Sequence, residues 1–362
     1  MEARHSELPL MKITHIHIQN LRIIQDIEFQ PVTGLNVITG DNGAGKTSIL
    51  EAIYLLGQGK SFRHTEAGPL IRKGEDSALV VADIQTTPGT ETRLGIQRSR
   101  RQFVARHAGR DVSRRSELFR LLPLLLITPQ SHELVERGPE LRRRFLDFGL
   151  FHVEQSYHQV SLAYHRALIQ RNSSLRAGDI RLARSFNEQL ITNSDTILRS
   201  RLQLLHSIEK HLVEFLSCIS FADTVSLKLY QGWKTGISLE EALKRAEVQD
   251  LNRGFTSVGV HRSRLKILTA GAPVDKVFSR GQQKLLVYGL VLALCDLMKD
   301  QTAVTPLLLI DDISAELDTR NAQKVLEYLR NLELQMFVTA LDFSRYEALS
   351  GTCVFHVEHG SL

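Results

Sequence analysis

Apolar side chains recur at strand and helix spacing at both ends of the chain. Residues 11–18 alternate apolar and other side chains, which predicts a half-buried β-strand. Residues 34–39 form a second predicted strand, and from 49 to 57 the apolar positions recur at helical spacing. Towards the other end, the apolar runs 306–310 and 336–339 predict two further strands. Both ends of the chain are therefore of α/β character.

The middle of the chain has a different pattern. Residues 76–115 predict short antiparallel strands with turns at 88–89 and 108–109. From about 140 to 216, apolar residues follow helical spacings of three and four on either side of a polar break at 171–174, which predicts an antiparallel helical arm. The two apolar stripes consist of Val153, Tyr157, Val160, Tyr164 and Leu168, and of Leu198, Leu202, Leu205, Ile208, Leu212 and Phe215.

These patterns predict a split α/β head. We expect the head to comprise residues 11–118 and 258–362, with a mixed sheet and an antiparallel β subdomain, and a helical lobe at 119–257 to be inserted in it. Residues 1–10 precede a second methionine, and we interpret them as a dispensable extension.

Composition limits the class of protein. The chain has 362 residues, 43% of them hydrophobic, and no apolar run approaches the ~18 residues that a membrane span needs. No signal-peptide pattern opens the sequence, so we expect a cytosolic protein without a membrane partner. The three cysteines, Cys218, Cys295 and Cys353, are too far apart in sequence to suggest a disulfide framework or a zinc site.

Basic residues are concentrated in one segment. The formal net charge is only +5, but residues 98–115 hold seven arginines and the single acid Asp111. Such an excess favours a polyanionic partner, although a solvated basic face would have the same composition. The arginines are Arg98, Arg100, Arg101, Arg106, Arg110, Arg114 and Arg115.

A glycine-rich segment joins the predicted second strand to the predicted helix. It comprises Gly40, Asp41, Asn42, Gly43, Ala44, Gly45, Lys46, Thr47 and Ser48 and has the form GxxxxGK[ST]. In such a loop, backbone amides surround a phosphate at the start of a helix, a lysine binds the β- and γ-phosphates, and a hydroxyl binds Mg²⁺. The strand–loop–helix context therefore predicts a nucleotide site.

Two further segments complete the pattern of a nucleotide hydrolase. The apolar strand before Asp311 and Asp312 presents two adjacent carboxylates, one suited to bind a metal and the other to polarise an attacking water. Ser279, Arg280, Gly281 and Gln282 precede an apolar helix, and only 32 residues (311 minus 279) separate this segment from the acidic pair. It resembles the signature with which ABC-type ATPases contact the γ-phosphate of a nucleotide held by a second protomer.

Taken together, the motifs resemble those of the RecF family of bacterial recombination-mediator ATPases, which are related to the heads of chromosome-maintenance (SMC) proteins. The resemblance extends from Met11 onward and includes segments specific to that family. These segments are Asn20-Leu21-Arg22, Gly40–Glu51, Gly59–Arg63, Gly138-Pro139, Arg142-Arg143, Phe145–Asp147, Gly259–Arg262, Ser279–Lys284 and Leu308–Asp318.

The resemblance implies an ABC-type P-loop ATPase head and a protein that dimerises on ATP. It implies binding of double-stranded, gapped and single-stranded DNA, loading of recombinase with RecO and RecR, support of the SOS response and slow, regulatory hydrolysis. Carried onto this sequence, Lys46 and Thr47 bind phosphate and Mg²⁺, and Asp311 completes the metal site. Asp312 is the candidate base, Ser279 and Gly281 act in trans, and Gln130 and Arg63 are further candidates.

Two positions depart from related patterns. The family usually has two acids after its Gly-Pro-His-Arg segment, whereas this chain has Ser263 and Arg264 after Gly259-Val260-His261-Arg262. The strand 336–339 ends at Thr339-Ala340, where a transporter ATPase has a histidine, so Thr339 is a candidate for that role.

Alternatives to this interpretation are a transporter-type ATPase subunit and a chromosome-organising SMC-like head. A transporter subunit would have its signature much closer to the phosphate loop than 233 residues (279 minus 46). An SMC-like head would need far longer coiled coils than the predicted helical lobe provides.

Overall fold

The computed structural model describes residues 11–64, 66, 68–87, 90–302, 305–313, 317, 319–342 and 352–362. Three features predicted or noted from the sequence lie outside the described residues: the extension 1–10, the turn Pro88-Gly89, and Ala315, Glu316 and Asp318 after the acidic strand. The described chain forms two compact units. Unit 1 holds the residues up to Ser131, Phe215–Ser220 and Lys284 onward, and unit 2 holds His132–Glu214 and Phe221–Gln283.

Unit 1 contains an antiparallel and a parallel sheet. The antiparallel sheet comprises β1 (Lys12–Leu21), β2 (Ile24–Phe29), β4 (Ser77–Thr87), β5 (Thr90–Ser99), β6 (Phe103–His107) and β7 (Arg110–Asp111), in the order β2-β1-β4-β5-β6-β7. The parallel sheet comprises β3 (Leu35–Thr39), β8 (Leu124–Ile127), β12 (Leu307–Ile310), β13 (Met336–Thr339) and β14 (Cys353–His356), in the order β14-β3-β13-β12-β8.

The helices of unit 1 are α1 (Lys46–Gln58), α2 (Arg115–Leu121), α11 (Thr319–Asn331) and most of α10 (Arg280–Gln301). Helix α1 contacts strands of both sheets, and its apolar side chains are almost fully buried. Strand β1 has a register shift between Ile13 and His15, and its buried residues are Ile13, Ile16, Ile18 and Leu21 rather than a strictly alternating set.

Unit 2 is mainly helical but also contains a small sheet. Its helices are α3 (Glu133–Glu136), α4 (Pro139–Val153), α5 (Tyr157–Arg176), α6 (Ile180–Ser185), most of α7 (Asn187–Cys218), α8 (Leu239–Arg253) and α9 (Val274–Val277). Its strands β9 (Ser226–Tyr230), β10 (Arg264–Thr269) and β11 (Ala272–Pro273) pair in the order β11-β10-β9. Within the described part of the chain, no helix combines the length and apolar character needed to cross a bilayer.

The two units do not follow the boundaries expected at 118 and 258. Residues 119–131 belong to unit 1 because β8 pairs with β12, with Ile127 opposite Ile310. Residues 258–283 belong to unit 2 because β10 pairs with β9, with Arg264 opposite Tyr230. Both pairings join segments distant in sequence, so periodicity along the chain could not reveal them.

The polar break predicted at 171–174 is wrong. Helix α5 continues through these residues to Arg176, and the break lies at Ala177–Asp179. The first apolar stripe also crosses a helix boundary, because Val153 ends α4 and Tyr157 begins α5. In the second stripe, Leu202 is half exposed on α7, while Leu205 and its successors at 208, 212 and 215 are buried.

Arg171 explains why α5 tolerates a polar segment. Its side chain is 2% exposed and pairs with Asp250, which is fully buried, at 2.9 Å. The guanidinium also donates to Thr256 and Asn187, while the Asp250 carboxylate accepts from the amide and hydroxyl of Ser257. This satisfied network joins α5, α7 and α8 inside unit 2.

Replacing Asp250 by Ala should lower the free energy of unfolding of unit 2 by about 3–5 kcal/mol, because the Arg171 cation would stay buried without its partner. Denaturant unfolding followed through Trp233, the only tryptophan of the chain, reports on this unit. Glu247→Ala is the matched control, because Arg184 and Glu247 pair at an exposed site, where the loss is at most ~1 kcal/mol. Equal losses in the two variants would contradict the prediction.

Candidate functional site

The glycine-rich loop lies between β3 and α1, at the carboxyl edge of the parallel sheet. Gly40 has a φ of 139°, and a Cβ built there would lie 2.2 Å from the carbonyl oxygen of Val357. The Gly360 amide donates to the carbonyl of Ala44 at 2.8 Å, and β14, just before Val357, pairs with β3. Residues near the end of the chain therefore form one wall of the loop, and glycine is required at position 40.

The loop ends at an open helix start. Helix α1 begins at Lys46, and its N-cap Gly45 has no side-chain cap. Uncapped amides at the beginning of a helix attract anions, because they carry partial positive charge and lack intrahelical partners. The local geometry is therefore that of a phosphate-binding loop, as predicted for residues 40–48.

Lys46 is folded back over this loop. Its Nζ donates to the carbonyl oxygens of Gly40 at 2.5 Å and Asp41 at 2.9 Å. Burial lowers the pKa of Lys46, and the nearby carboxylates of Asp312, Asp311 and Asp41 oppose that effect. The ammonium group is thus held at the loop, where it could exchange the carbonyl contacts for phosphate oxygens.

Asp311 lies opposite the loop, directly after β12. Its Oδ1 accepts hydrogen bonds from the hydroxyl of Thr47 at 2.9 Å and from the hydroxyl of Thr339 at 2.8 Å. Burial raises the pKa of Asp311, although these two hydrogen bonds act in the opposite direction. A cation beside Asp311 would offset the cost of its buried charge. The oxygens of Thr47 and Asp311 are the hard donors that Mg²⁺ prefers, so the site fits that ion.

Thr339 connects the ends of two neighbouring strands. Its hydroxyl donates to Asp311 and accepts from the backbone amide of Asp312 at 2.7 Å. Asp312 has a φ of 55°, a left-handed conformation in which Asp and Asn are better tolerated than most residues. The end of β13 therefore fixes the backbone that carries the predicted catalytic carboxylate.

Two cavities share walls at this edge of the sheet. The loop cavity, about 270 Å³, is bounded by the phosphate loop, Asp311, Asp312, Thr339 and Arg63. The side cavity, about 520 Å³, shares Thr47, Arg63 and Asp311 with it and extends to Gln130. Gln130 reaches this position because β8 is parallel to β12 and ends beside it. The structure thus brings the predicted residues of the phosphate loop, the acidic pair, Arg63, Gln130 and Thr339 together.

Arg22 and Ile23 also line the loop cavity, although the sequence analysis assigned them no role. They form the turn between β1 and β2, and Ile23 is 43% exposed. Arg22 makes two hydrogen bonds of 2.8 Å to Glu51, a fully buried acid of α1. The family-specific segment 20–22 was the available signal, but its contact with Glu51 depends on the fold.

Residues Ser279–Gln282, which we call the serine-glycine segment, lie in unit 2 at the start of α10. The Ser279 amide donates to the side chain of Gln282 at 2.9 Å, and the Gln282 amide donates to the Ser279 hydroxyl at 3.3 Å. This reciprocal pair is a capping box. Ser279, Arg280 and Gly281 are exposed. The segment is therefore an ordered helix start that a second molecule could reach.

The arginine-rich segment, residues 98–115, spans the end of β5, β6, β7 and the start of α2. We call residues Ser99–Gln102, between β5 and β6, the arginine turn. The hydroxyl of Ser99 accepts hydrogen bonds from the amides of Arg101 and Gln102, so the turn presents Arg100 and Arg101 at an ordered tip. Arg98 and Arg115 both lie 5.9 Å from the ring centroid of Phe103.

The remaining members of the segment lie farther along the chain. Arg106 pairs with Asp111, the acid noted from the sequence, while Arg110 and Arg114 are exposed. The seven arginines, which we take as candidates for DNA contact, thus occur on β5, β6 and β7, at the arginine turn and at the start of α2.

His261, Arg142 and Arg143, which belong to the family-specific segments, have internal partners. His261 contacts the Tyr164 hydroxyl at 2.6 Å, and burial lowers its pKa to about 4. Arg142 donates to backbone carbonyls of Leu134 and Leu265, and Arg143 donates to the carbonyl of Ser263. These contacts support a structural role for the three side chains.

The sequence and the fold are similar to those of known proteins. The family model "RecF/RecN/SMC N terminal domain" matches residues 12–360. The "DNA replication and repair protein RecF" of Thioalkalivibrio sulfidiphilus is 38% identical over 97% of this chain and 99% of that protein. The protein of the same description from a Marinomonas species is 36% identical over 92% of this chain and 91% of that protein.

Solved structures of RecF and of a related head domain are also similar to this chain. The structure described as "the recombination mediator protein RecF-ATP in RecFOR pathway" has a TM-score of 0.85 at 25% identity, covering 99% of this chain and 98% of that one. An Smc head domain from Pyrococcus furiosus, covering 97% of this chain and 95% of that one, has a TM-score of 0.63 at 15% identity, which is a likeness of fold. The prediction of an ABC-type P-loop ATPase head is confirmed.

Proposed function

The chain belongs to the RecF family of DNA replication and repair proteins, and on that premise we propose that it is an ATP-dependent DNA-binding protein of recombinational repair. In this proposal it dimerises on ATP at gapped DNA, promotes recombinase loading with RecO and RecR, and supports the SOS response. The contact of Thr47 and Thr339 with Asp311 beside the phosphate loop carries the ATP part of the proposal, because it joins three separate sequence segments in one site.

The roles of the residues follow from their positions. The amides of residues 43–48 and the Lys46 ammonium would hold the phosphates, and Thr47 and Asp311 would hold Mg²⁺, which neutralises phosphate charge when bound. Asp312 would accept the proton of the attacking water, and Thr339 would keep Asp312 in place. Gln130 and Arg63 would contact the nucleotide from the side cavity.

The serine-glycine segment supports the dimeric part of the proposal. Ser279, Arg280 and Gly281 are exposed at a helix start with no covering segment in the described residues of their own unit. A helix start attracts phosphate, so a second copy of the chain could place its bound nucleotide there. A symmetric dimer would then contain two composite sites, each with one phosphate loop and one signature.

The proposed function is tested by measuring oligomeric mass and affinity for gapped duplex with and without ATP. The proposal expects a monomer that becomes a DNA-bound dimer when ATP is added, and that returns to monomer as ATP is consumed. A mass and a DNA affinity that both ignore ATP would overturn the shared-site mechanism.

Charge reversal at the arginine turn should weaken duplex binding. The variant Arg100→Glu with Arg101→Glu removes two candidate phosphate contacts, so the slope of log affinity against log salt should fall by about two. The capping hydroxyl of Ser99 is unchanged, so the turn should keep its shape. Duplex affinity measured over a series of salt concentrations checks this, with ATP binding expected to stay normal.

The matched control is Lys73→Glu with Arg320→Glu, which makes the same change of charge at two exposed positions of unit 1 outside the arginine-rich segment. If both double variants lowered the affinity for duplex DNA equally, the loss would come from the net charge of the protein and not from the arginine turn. An unchanged affinity and slope in the first variant would exclude the arginine turn from DNA binding.

A further inference from the structure

Unit 2 contains a pocket of about 570 Å³ whose walls are strongly cationic. None of its lining residues in the described part of the chain is acidic. The cations come from α4, the end of α8 and the segment that leads into β10, so they are gathered from distant parts of the sequence. They are Arg143, Arg253, Arg262, Arg264 and Lys266.

Among the described residues, none of these five cations forms an ion pair. The described ion pairs of unit 2 use other arginines, namely those at 137, 144, 171, 184, 201 and 245. Arg143 donates to a backbone carbonyl, and burial, followed by the like charges of Arg201 and Arg262, lowers its pKa. A pocket with this excess of positive charge favours an anionic ligand.

Three aromatic side chains, Tyr230, Trp233 and Phe255, also line the pocket, and their positions are fixed. The indole Nε1 of Trp233 donates to the carbonyl of Ile237 at 3.1 Å, and the ring packs on the apolar cluster at the start of α8. Tyr230 lies opposite Arg264 in the ladder, with the Lys266 ammonium 4.6 Å from its ring centroid. The Arg262 guanidinium lies 5.2 Å from the centroid of Phe255.

Gly232 allows two loops of the pocket to pack closely against each other. Gly232 has a φ of 103°, and a Cβ there would lie 2.2 Å from the carbonyl oxygen of Gly259. The loop that carries Trp233 is therefore packed directly against the loop that carries Arg262. Rings and guanidinium groups held in this way are preorganised for a ligand that is both anionic and planar.

We propose that this pocket binds unpaired DNA, with one or two bases stacked on Trp233, Tyr230 and Phe255. The adjoining phosphates are held by Arg253, Arg262, Arg264 and Lys266. Stacking on aromatic side chains along a basic groove is how proteins bind single strands without sequence preference. A duplex offers phosphates but keeps its base faces covered. An acidic peptide would use the cations and leave the rings without a partner.

The proposed site goes beyond the function proposed above, because it requires neither ATP nor the arginine turn. It adds a single-strand contact on unit 2 to the duplex contact on unit 1. Failure of this proposal would leave the ATP-dependent dimer and its duplex binding untouched.

Trp233 is the only tryptophan of the chain, so its emission reports directly on the pocket. A short oligothymidylate added to the full-length protein without ATP should quench that emission. Arg264→Ala and Tyr230→Ala should each lower the affinity about tenfold, the usual effect of losing one stacking or phosphate contact. Arg199→Ala removes an exposed arginine of α7 outside the pocket and should bind like the natural protein.

Four results would overturn the proposal. They are an emission that the oligothymidylate does not change, equal quenching by a blunt duplex, equal quenching by polyglutamate, and affinities of the two pocket variants equal to that of Arg199→Ala. The variant with both Arg100→Glu and Arg101→Glu should still show the quenching by oligothymidylate. A loss of quenching in that variant would also contradict the proposal, because it would show that the arginine turn and the pocket do not bind DNA independently.

Discussion

Replacing Asp312 by Asn should slow ATP hydrolysis about a thousandfold while ATP binding and ATP-driven dimerisation persist. Asparagine has the same shape, tolerates the left-handed backbone at this position and keeps the amide hydrogen bond to Thr339, but it cannot accept the proton of the attacking water. The ATP-bound dimer should therefore live longer on gapped DNA. Single-turnover phosphate release and the mass of the complex over time measure the two effects.

Asp41→Asn is the matched control for this variant. Asp41 also lines the loop cavity, but only its backbone carbonyl is known to contact Lys46. Its replacement should change the rate far less. Equal losses in the two variants would mean that negative charge in the cavity, rather than a base at position 312, supports hydrolysis. Normal hydrolysis by Asp312→Asn would remove Asp312 from the mechanism.

Lys46→Ala and Ser279→Arg should each abolish ATP hydrolysis, and mixing the two inactive proteins should restore part of it. Lys46→Ala removes the phosphate-binding ammonium, and Ser279→Arg places a bulky side chain on the exposed start of α10. In a mixed dimer, one composite site carries both changes and the other carries neither. Random pairing would therefore leave about a quarter of all sites intact.

Steady-state phosphate release by the separate and mixed variants measures this complementation. Ser238→Arg controls for the loss of a helix cap, because Ser238 caps α8 as Ser279 caps α10. It should retain activity by itself. A mixture as inactive as its components would mean that the signature does not act on a nucleotide held by the partner molecule.

The elements that lie next to a motif were predictable from the sequence. The strand before the phosphate loop was expected at 34–39 and is Leu35–Thr39, and β13 has the predicted bounds Met336–Thr339. Mainly apolar runs of this length between polar segments are typical of strands buried on both faces of a parallel sheet. The side chains that follow such strands gather at one edge, which is why the acidic pair could be placed near the loop.

What the sequence could not reveal depends on partners distant along the chain. Arg171 looked like part of a polar break because its partner Asp250 is 79 residues away. Gln130 enters the side cavity through the pairing of β8 with β12, which no local pattern encodes. The cationic pocket of unit 2 went unnoticed for the same reason, since its residues are separated in sequence. Pro139, Arg143 and Arg262 belong to family-specific segments, but no local pattern shows that these segments meet.

The packing of Val357 against Gly40 has a consequence for how the protein is made. A chain emerging from the ribosome displays the glycine-rich loop early, but Val357, which lies against Gly40, follows 317 residues later (357 minus 40). The loop therefore reaches its observed packing only after these residues have been made. A chain without them should bind nucleotide more weakly than the intact chain.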